Sequence, residues 1–220
     1  MQNNKIKSNA EIQYGAKKLL IANWKFICAA NSIPVLFLIF SAFLSVSAYT
    51  IIAILILNIL QWGQFIYALE IVRGKHAGAI EIYKGFTKQN YIRVLGAGIF
   101  WSLPVMLLPF SSFPIVAILL FMPVIIVALY LGQIYFIIGD EASISSWGAA
   151  KRSWKMMQNF KWQLFCLLCR FIPWVILIAF TLGLAAFWVI PYLAIATAKF
   201  YDQVKIHSLE SHDSMPIAND

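Results

Sequence analysis

Six long apolar runs, with basic residues crowded into every second gap between them, leave this chain very few folds. The runs cover about residues 26–45, 49–70, 94–110, 114–138, 162–181 and 183–200. A helix rising ~1.5 Å per residue needs about 20 residues to cross ~30 Å of hydrocarbon. Only the third run falls clearly short of that length. Lys5, Lys7, Lys17, Lys18 and Lys25 precede the first run, and Arg73, Lys75, Lys84, Lys88 and Arg93 separate the second from the third. Lys151, Arg152, Lys155 and Lys161 separate the fourth from the fifth, and Lys199 and Lys205 end or follow the sixth. The turns after runs one, three and five hold no charge. Bases concentrate on the cytoplasmic side of multi-pass proteins. The pattern predicts six transmembrane helices arranged as three hairpins, with both termini in the cytoplasm.

Composition agrees: 61% of the 220 residues are hydrophobic and 12% are charged, against roughly 45–50% and about 25% in soluble domains. The net charge of +8 lies in short blocks beside apolar runs, not in a basic arm, so nucleic acid is not an expected partner. The expected class is an all-α polytopic membrane protein. Residues 1–205 form one membrane domain, and 206–220 form a polar tail expected to be disordered. The N-terminal stretch MQNNKIKSNAEIQYGAKKLL has no short apolar core with a small-residue cleavage site, which argues against a cleaved signal peptide. Cys28, Cys166 and Cys169 lie in apolar runs and read as small hydrophobes, not as a disulfide framework.

A module recurs three times. Asn23-Trp24-Lys25, Asn90-Tyr91-Ile92-Arg93 and Asn159-Phe160-Lys161 each place an Asn, an aromatic and a base just before a run. The segment SSWGAAKRSWKMMQNF before the fifth run has Trp147, Ala150, Trp154 and Met157 at helical spacing, with Lys151, Lys155 and Gln158 on another face. It predicts a cytoplasmic interfacial amphipathic helix with Ser145 as N-cap, its apolar face in lipid, and Lys151, Arg152 and Lys155 toward headgroups. Residues 9–22 show a weaker version, and 76–90 a weaker one still.

Pro123, Asp140, Ser145, Lys151-Arg152-Ser153, KWQLF at 161–165, Phe171-Ile172 with Trp174, TLG at 181–183, Trp188, Pro191-Tyr192 and Phe200-Tyr201 form a recognisable series. The chain resembles a bacterial integral-membrane family known as domain of unknown function nine hundred and seventy-five, most densely over 122–201. It departs from the family at Val124, Pro173 and Gly148, where Gly, Gly and an acidic residue are usual. The resemblance implies a multi-pass helical fold in a bacterial cytoplasmic membrane. It implies no activity.

No catalytic motif is present: there is no HExxH, GxSxG or P-loop. His207, Glu210, His212 and Asp213 could hold a metal but fall in the expected tail, so no metal or cofactor is expected. Acidic residues avoid membrane depth and gather at span ends, as Glu70, Asp140, Glu141 and Asp202. An intramembrane hydrolase or a proton pump would want a carboxylate deeper. Asn58, Gln61 and Gln133 are polar at depth and suit either interhelical hydrogen bonds or a translocation path. Arg170 is the one base that breaks the loop pattern. Eight residues beyond Trp162, it would lie ~12 Å deep, where a charge costs roughly 2.5–3.5 kcal/mol on insertion scales. It is expected to face the bundle interior and reach Glu70, Asp140 or opened carbonyls as an internal tie, or else to form an anion or lipid-headgroup site.

The expected function is a non-catalytic membrane module that binds partner proteins or anionic lipids at its basic cytoplasmic face. A small-solute or peptide transporter, or a subunit of one, is the alternative.

Overall fold

The computed structural model describes residues 7–25, 27, 32, 36, 48–75, 87, 90–98, 125–141 and 143–213. Among these the fold is all-helical. Most of the first run, most of the third, the start of the fourth and most of the weak segment 76–90 lie outside the described residues.

Helix α1, Asn9–Ala22, starts in a capping box: Ser8 Oγ accepts from the Glu11 N–H, and the Glu11 carboxylate accepts from the Ser8 N–H. It buries Ile12 and Ala16. Helix α2, Ala48–Val72, is 25 residues long and matches the second run. Helical residues 125–131 are separated by a turn at Gly132-Gln133 from α3, Ile134–Asp140. The fourth run is thus not one smooth helix. Five consecutive residues of α3, Ile134 to Ile138, are buried on every side.

Helix α4, Ser146–Met157, is capped by Ser145, whose Oγ accepts from the Gly148 N–H, as the sequence predicts. The fifth run is broken into α5, Lys161–Cys169, and α6, Ile172–Phe180. The cause is Pro173 in the first turn of α6. It has no N–H to donate, and its ring crowds the carbonyl four residues back, on Cys169. The backbone tightens there, with the Arg170 and Phe171 N–H groups donating to the Leu167 and Leu168 carbonyls at 3.2 and 2.9 Å.

The turn from α6 to α7, Ala186–Asp213, is a Schellman motif. The Gly183 N–H donates to Ile178 O at 2.8 Å and the Leu182 N–H to Ala179 O at 3.2 Å. Leu182 and Gly183 have φ of 50° and 93°. Thr181 Oγ1 then accepts from the Ala185 N–H at 3.0 Å, which starts the next helical turns. Phe171 and Trp174 pack on Tyr192, closing an antiparallel hairpin.

Helix α7 is the organising element: α1, α2, α4 and α6 all pack on it, and α3 lies between α2 and α4. The core holds Tyr135, Phe136, Phe200, Ile195 and Leu167, each under 2% exposed. Phe136 stacks on Tyr201 at 5.1 Å and meets the Phe65 ring edge-on at 5.3 Å. By contrast, α6 buries no residue at all, although every residue in it is apolar. Phe180 is 82% exposed.

Among the described residues, the stretch Lys161–Phe180 is long and apolar enough to cross a membrane, and Ile56–Val72 and Ile125–Asp140 are shorter apolar helices. The expected tail boundary is corrected, because α7 runs on to Asp213. Val204 is buried against the core, and the His207 ring packs on Phe160 at 5.8 Å, so helix is stabilised beyond residue 205.

Candidate functional site

Four charges meet where α2 and α3 end against the side of α7. Arg73, just past α2, donates from Nη1 and Nη2 to the two carboxylate oxygens of Asp140 at 2.6 and 3.0 Å. The same guanidinium donates to Asp202 through Nε at 3.1 Å and Nη2 at 2.7 Å. Lys205 Nζ and Tyr201 Oη donate to Asp140 Oδ2 at 2.6 and 2.9 Å. Two cations and two anions leave the network neutral. The Asp140 side chain is only 10% exposed. Burial alone would raise its carboxyl, but the hydrogen bonds from Arg73, Lys205 and Tyr201 outweigh it and hold the group well below the usual carboxylate range. The bond to Asp140 likewise raises Arg73. Burial pushes the Tyr201 phenol up, and the neighbouring Asp140 charge adds to this. A carboxylate that stays ionised at neutral pH and is saturated with donors is a poor proton acceptor. It is suited to locking the ends of α2 and α3 to α7.

The sequence marks Asp140 but assigns it to the wrong base. Arg170 is exposed and caps α5, and its guanidinium makes no hydrogen bond or ion pair among the described residues. Its backbone carbonyl accepts from Gln13 Nε2 of α1 at 3.5 Å. The expected tie from Arg170 to Asp140 is therefore replaced by Arg73 and Lys205. Glu70 sits half-buried one turn before Arg73. The signal for Arg73 was available: acids and bases flank the same ends of the even-numbered runs.

A second set of contacts fastens α4 to the bundle. Ser146 Oγ donates to Arg93 O at 2.9 Å and Ser153 Oγ to Tyr130 O at 2.7 Å. Arg93 Nη1 donates to Glu141 O at 3.1 Å, and Arg152 pairs with the Glu141 carboxylate. The expected division of faces is corrected here. Ala150 and Met157 are buried against protein, with Ala149 and Ser153, rather than turned to lipid. Trp147 and Trp154 stay exposed, at 63% and 42%, on the flank next to Lys151 and Lys155. Lys151 Nζ lies 5.8 Å from the Trp147 ring, and Trp154 stacks on Tyr130 at 4.0 Å. The helix thus has three sectors instead of two: protein-facing small residues, exposed indoles, and bases.

The polar residues of the apolar runs do not form one constellation. Asn58 Oδ1 accepts from the Tyr135 hydroxyl at 3.0 Å, and Trp62 Nε1 donates to Tyr135 O at 3.1 Å, so these groups tie α2 to α3. Gln61 and Gln133 instead line a cavity of about 410 Å³ between α2, residues 125–133, α5 and α7. Arg170 does not line it, although its neighbour Cys169 does. Among the described residues, no three His, Cys, Asp or Glu side chains converge to hold a metal ion.

Residues 105–208 match the family described as "Protein of unknown function (DUF975)". That segment is similar to the family and takes in α3 to α6 and most of α7, including the residues from Pro123 to Tyr201 that carry the resemblance. No curated protein and no solved structure matches the chain.

Proposed function

We propose that this is a multi-pass protein of a bacterial cytoplasmic membrane, with six spans in three hairpins and both termini inside. It acts without catalysis, as a module that binds anionic lipid headgroups on its cytoplasmic side. The alternation of basic and uncharged gaps supports the topology. An apolar helix with no buried residue, α6, is expensive in water and ordinary in lipid.

The observation that carries the lipid reading is the exposed flank of α4. Serine hydrogen bonds fix the helix to the bundle, so Trp147, Trp154, Lys151 and Lys155 are held in place beside one another. Indoles settle at the headgroup level, and lysines there attract anionic lipid. Each lysine contributes about 1 kcal/mol near an anionic surface, so K151Q/K155Q should weaken phosphatidylglycerol retention roughly thirtyfold. Native mass spectrometry of the detergent-purified protein reads this directly. Equal retention of phosphatidylglycerol and phosphatidylcholine by the unaltered protein defeats the proposal.

The cavity holding Gln61 and Gln133 favours a second reading, a small-solute or peptide transporter or a subunit of one. Uptake of a solute into proteoliposomes, lost in a cavity-filling variant, would distinguish it. Partner proteins at the basic face would instead copurify from native membrane.

A further inference from the structure

The Gln133 side chain is fully buried, and neither its amide oxygen nor its amide nitrogen has a hydrogen-bond partner. It stands at the turn between residues 125–131 and α3 and is among the residues that line the cavity with Gln61. A buried amide with both ends unmet is costly and rare in a folded protein. The one hydroxyl in the lining is already satisfied, because Thr197 Oγ1 donates to the Leu193 and Ala194 carbonyls of its own helix at 2.9 and 3.0 Å. The rest of the wall is hydrocarbon, aromatic ring and the Cys169 thiol, with no charged side chain.

We infer that this cavity is a binding site for the chain of a neutral single-chain amphiphile, whose amide or hydroxyl pairs with Gln133. Its volume, about 410 Å³, falls within the roughly 300–1,000 Å³ of small-molecule sites. An ionised headgroup inside it would have no counter-charge, so the polar group must be neutral. A group that both donates and accepts, such as a primary amide or an alcohol, meets both ends of the Gln133 side chain. The route is lateral. Ile125 and Ile172 line the cavity and are 44% and 53% exposed, so its rim lies on the apolar surface. On the proposed membrane reading, on which this site rests, that surface faces lipid and the ligand arrives from the bilayer.

Cys169 lines the cavity and is a free thiol, which provides a reporter. The full chain carrying C28S and C166S is reconstituted in phosphatidylcholine nanodiscs, and alkylation of Cys169 by N-ethylmaleimide is timed with dodecanamide, dodecane or laurate present. Dodecanamide should slow the reaction roughly tenfold when present at about ten times its dissociation constant, and dodecane and laurate much less. Q133M should abolish the difference between dodecanamide and dodecane. A128F, which fills the cavity and leaves the Gln133 amide in place, should abolish protection by any of them and covers the case in which Q133M fails to fold. Equal protection by dodecane and dodecanamide, or protection by neither, overturns the site. Alkaline carbonate extraction of native membranes separates the two layers of reasoning. Release of the chain by carbonate sinks the membrane reading and the site with it, while a retained chain without protection sinks the site alone.

Discussion

Replacing Asp140 by Asn should destabilise the protein by about 3 kcal/mol, and the geometry shows why. Asp140 Oδ2 accepts from Arg73 Nη2 at 3.0 Å, Lys205 Nζ at 2.6 Å and Tyr201 Oη at 2.9 Å, while Oδ1 accepts from Arg73 Nη1 at 2.6 Å. Asn can keep its oxygen toward Arg73 only by turning an NH₂ donor at Lys205 and Tyr201. Breaking a fully buried pair costs roughly 3–5 kcal/mol, and losing a hydrogen bond to a charged group costs about 1.5–3. Arg73 and Lys205 are 29% and 30% exposed, so water recovers part of the loss, and the overlap of the two ranges is the appropriate value. For a chain of this size that is a fall of roughly 6–12 °C in Tm. The assay is thermal unfolding in detergent, followed by circular dichroism. K205Q completes a double-mutant cycle: with D140N it should cost at least about 1 kcal/mol less than the sum of the single changes. A D140N protein melting within about 1 °C of the parent refutes the lock, and so does an additive cycle.

The same carboxylate sets a pH dependence. Its folded value lies below the unfolded ~3.9, so its contribution is complete above about pH 4 and is lost as pH falls further. The Tm difference between the parent and D140N should therefore be constant from neutral pH to about pH 5 and shrink below pH 4. In the turn before α7, G183A should cost roughly 1–2 kcal/mol for a left-handed backbone position. L182G there should be neutral or stabilising, because it relieves a positive φ, and thermal melts of the two distinguish them. S153A removes the hydrogen bond to Tyr130 O and should cost about 1 kcal/mol. Amide exchange across residues 146–157 should rise in that variant, and unchanged exchange counts against the docking of α4.

Local signals in the sequence translated well into structure. Ser145, read as an N-cap from the sequence, caps α4; the Ser8–Glu11 capping box and the Thr181-Leu182-Gly183 turn are equally local, although neither was picked out from the sequence. The charge lock was half legible. Asp140 and Asp202 could be seen gathering at matched ends, but which base reaches them depends on how helices lie beside one another. Arg170 shows the same limit. Counting residues gives its depth on a straight helix, yet Pro173 breaks that helix next to it, and the direction of a side chain at a break is not a matter of period. For α4 the period was right and the partner wrong. Ala150 and Met157 form a face that suits either lipid or protein, and only the neighbouring Ser153 hydrogen bond distinguishes them. Gln133 was visible as a polar residue at depth, but that both ends of its side chain are unmet is a property of the packed interior.

Helix α7 gives these separate places a common shaft. Leu193 and Thr197 touch the cavity, and Asp202 and Lys205 hold the ionic end, about 7–12 Å farther along at 1.5 Å per residue from Thr197. Its internal proline, Pro191, lies before both. An occupant that turns the shaft at Thr197 must turn Asp202 and Lys205 by the same angle or unwind the helix between them. A torque applied among greasy side chains would then arrive at the aqueous rim as a rearrangement of charge.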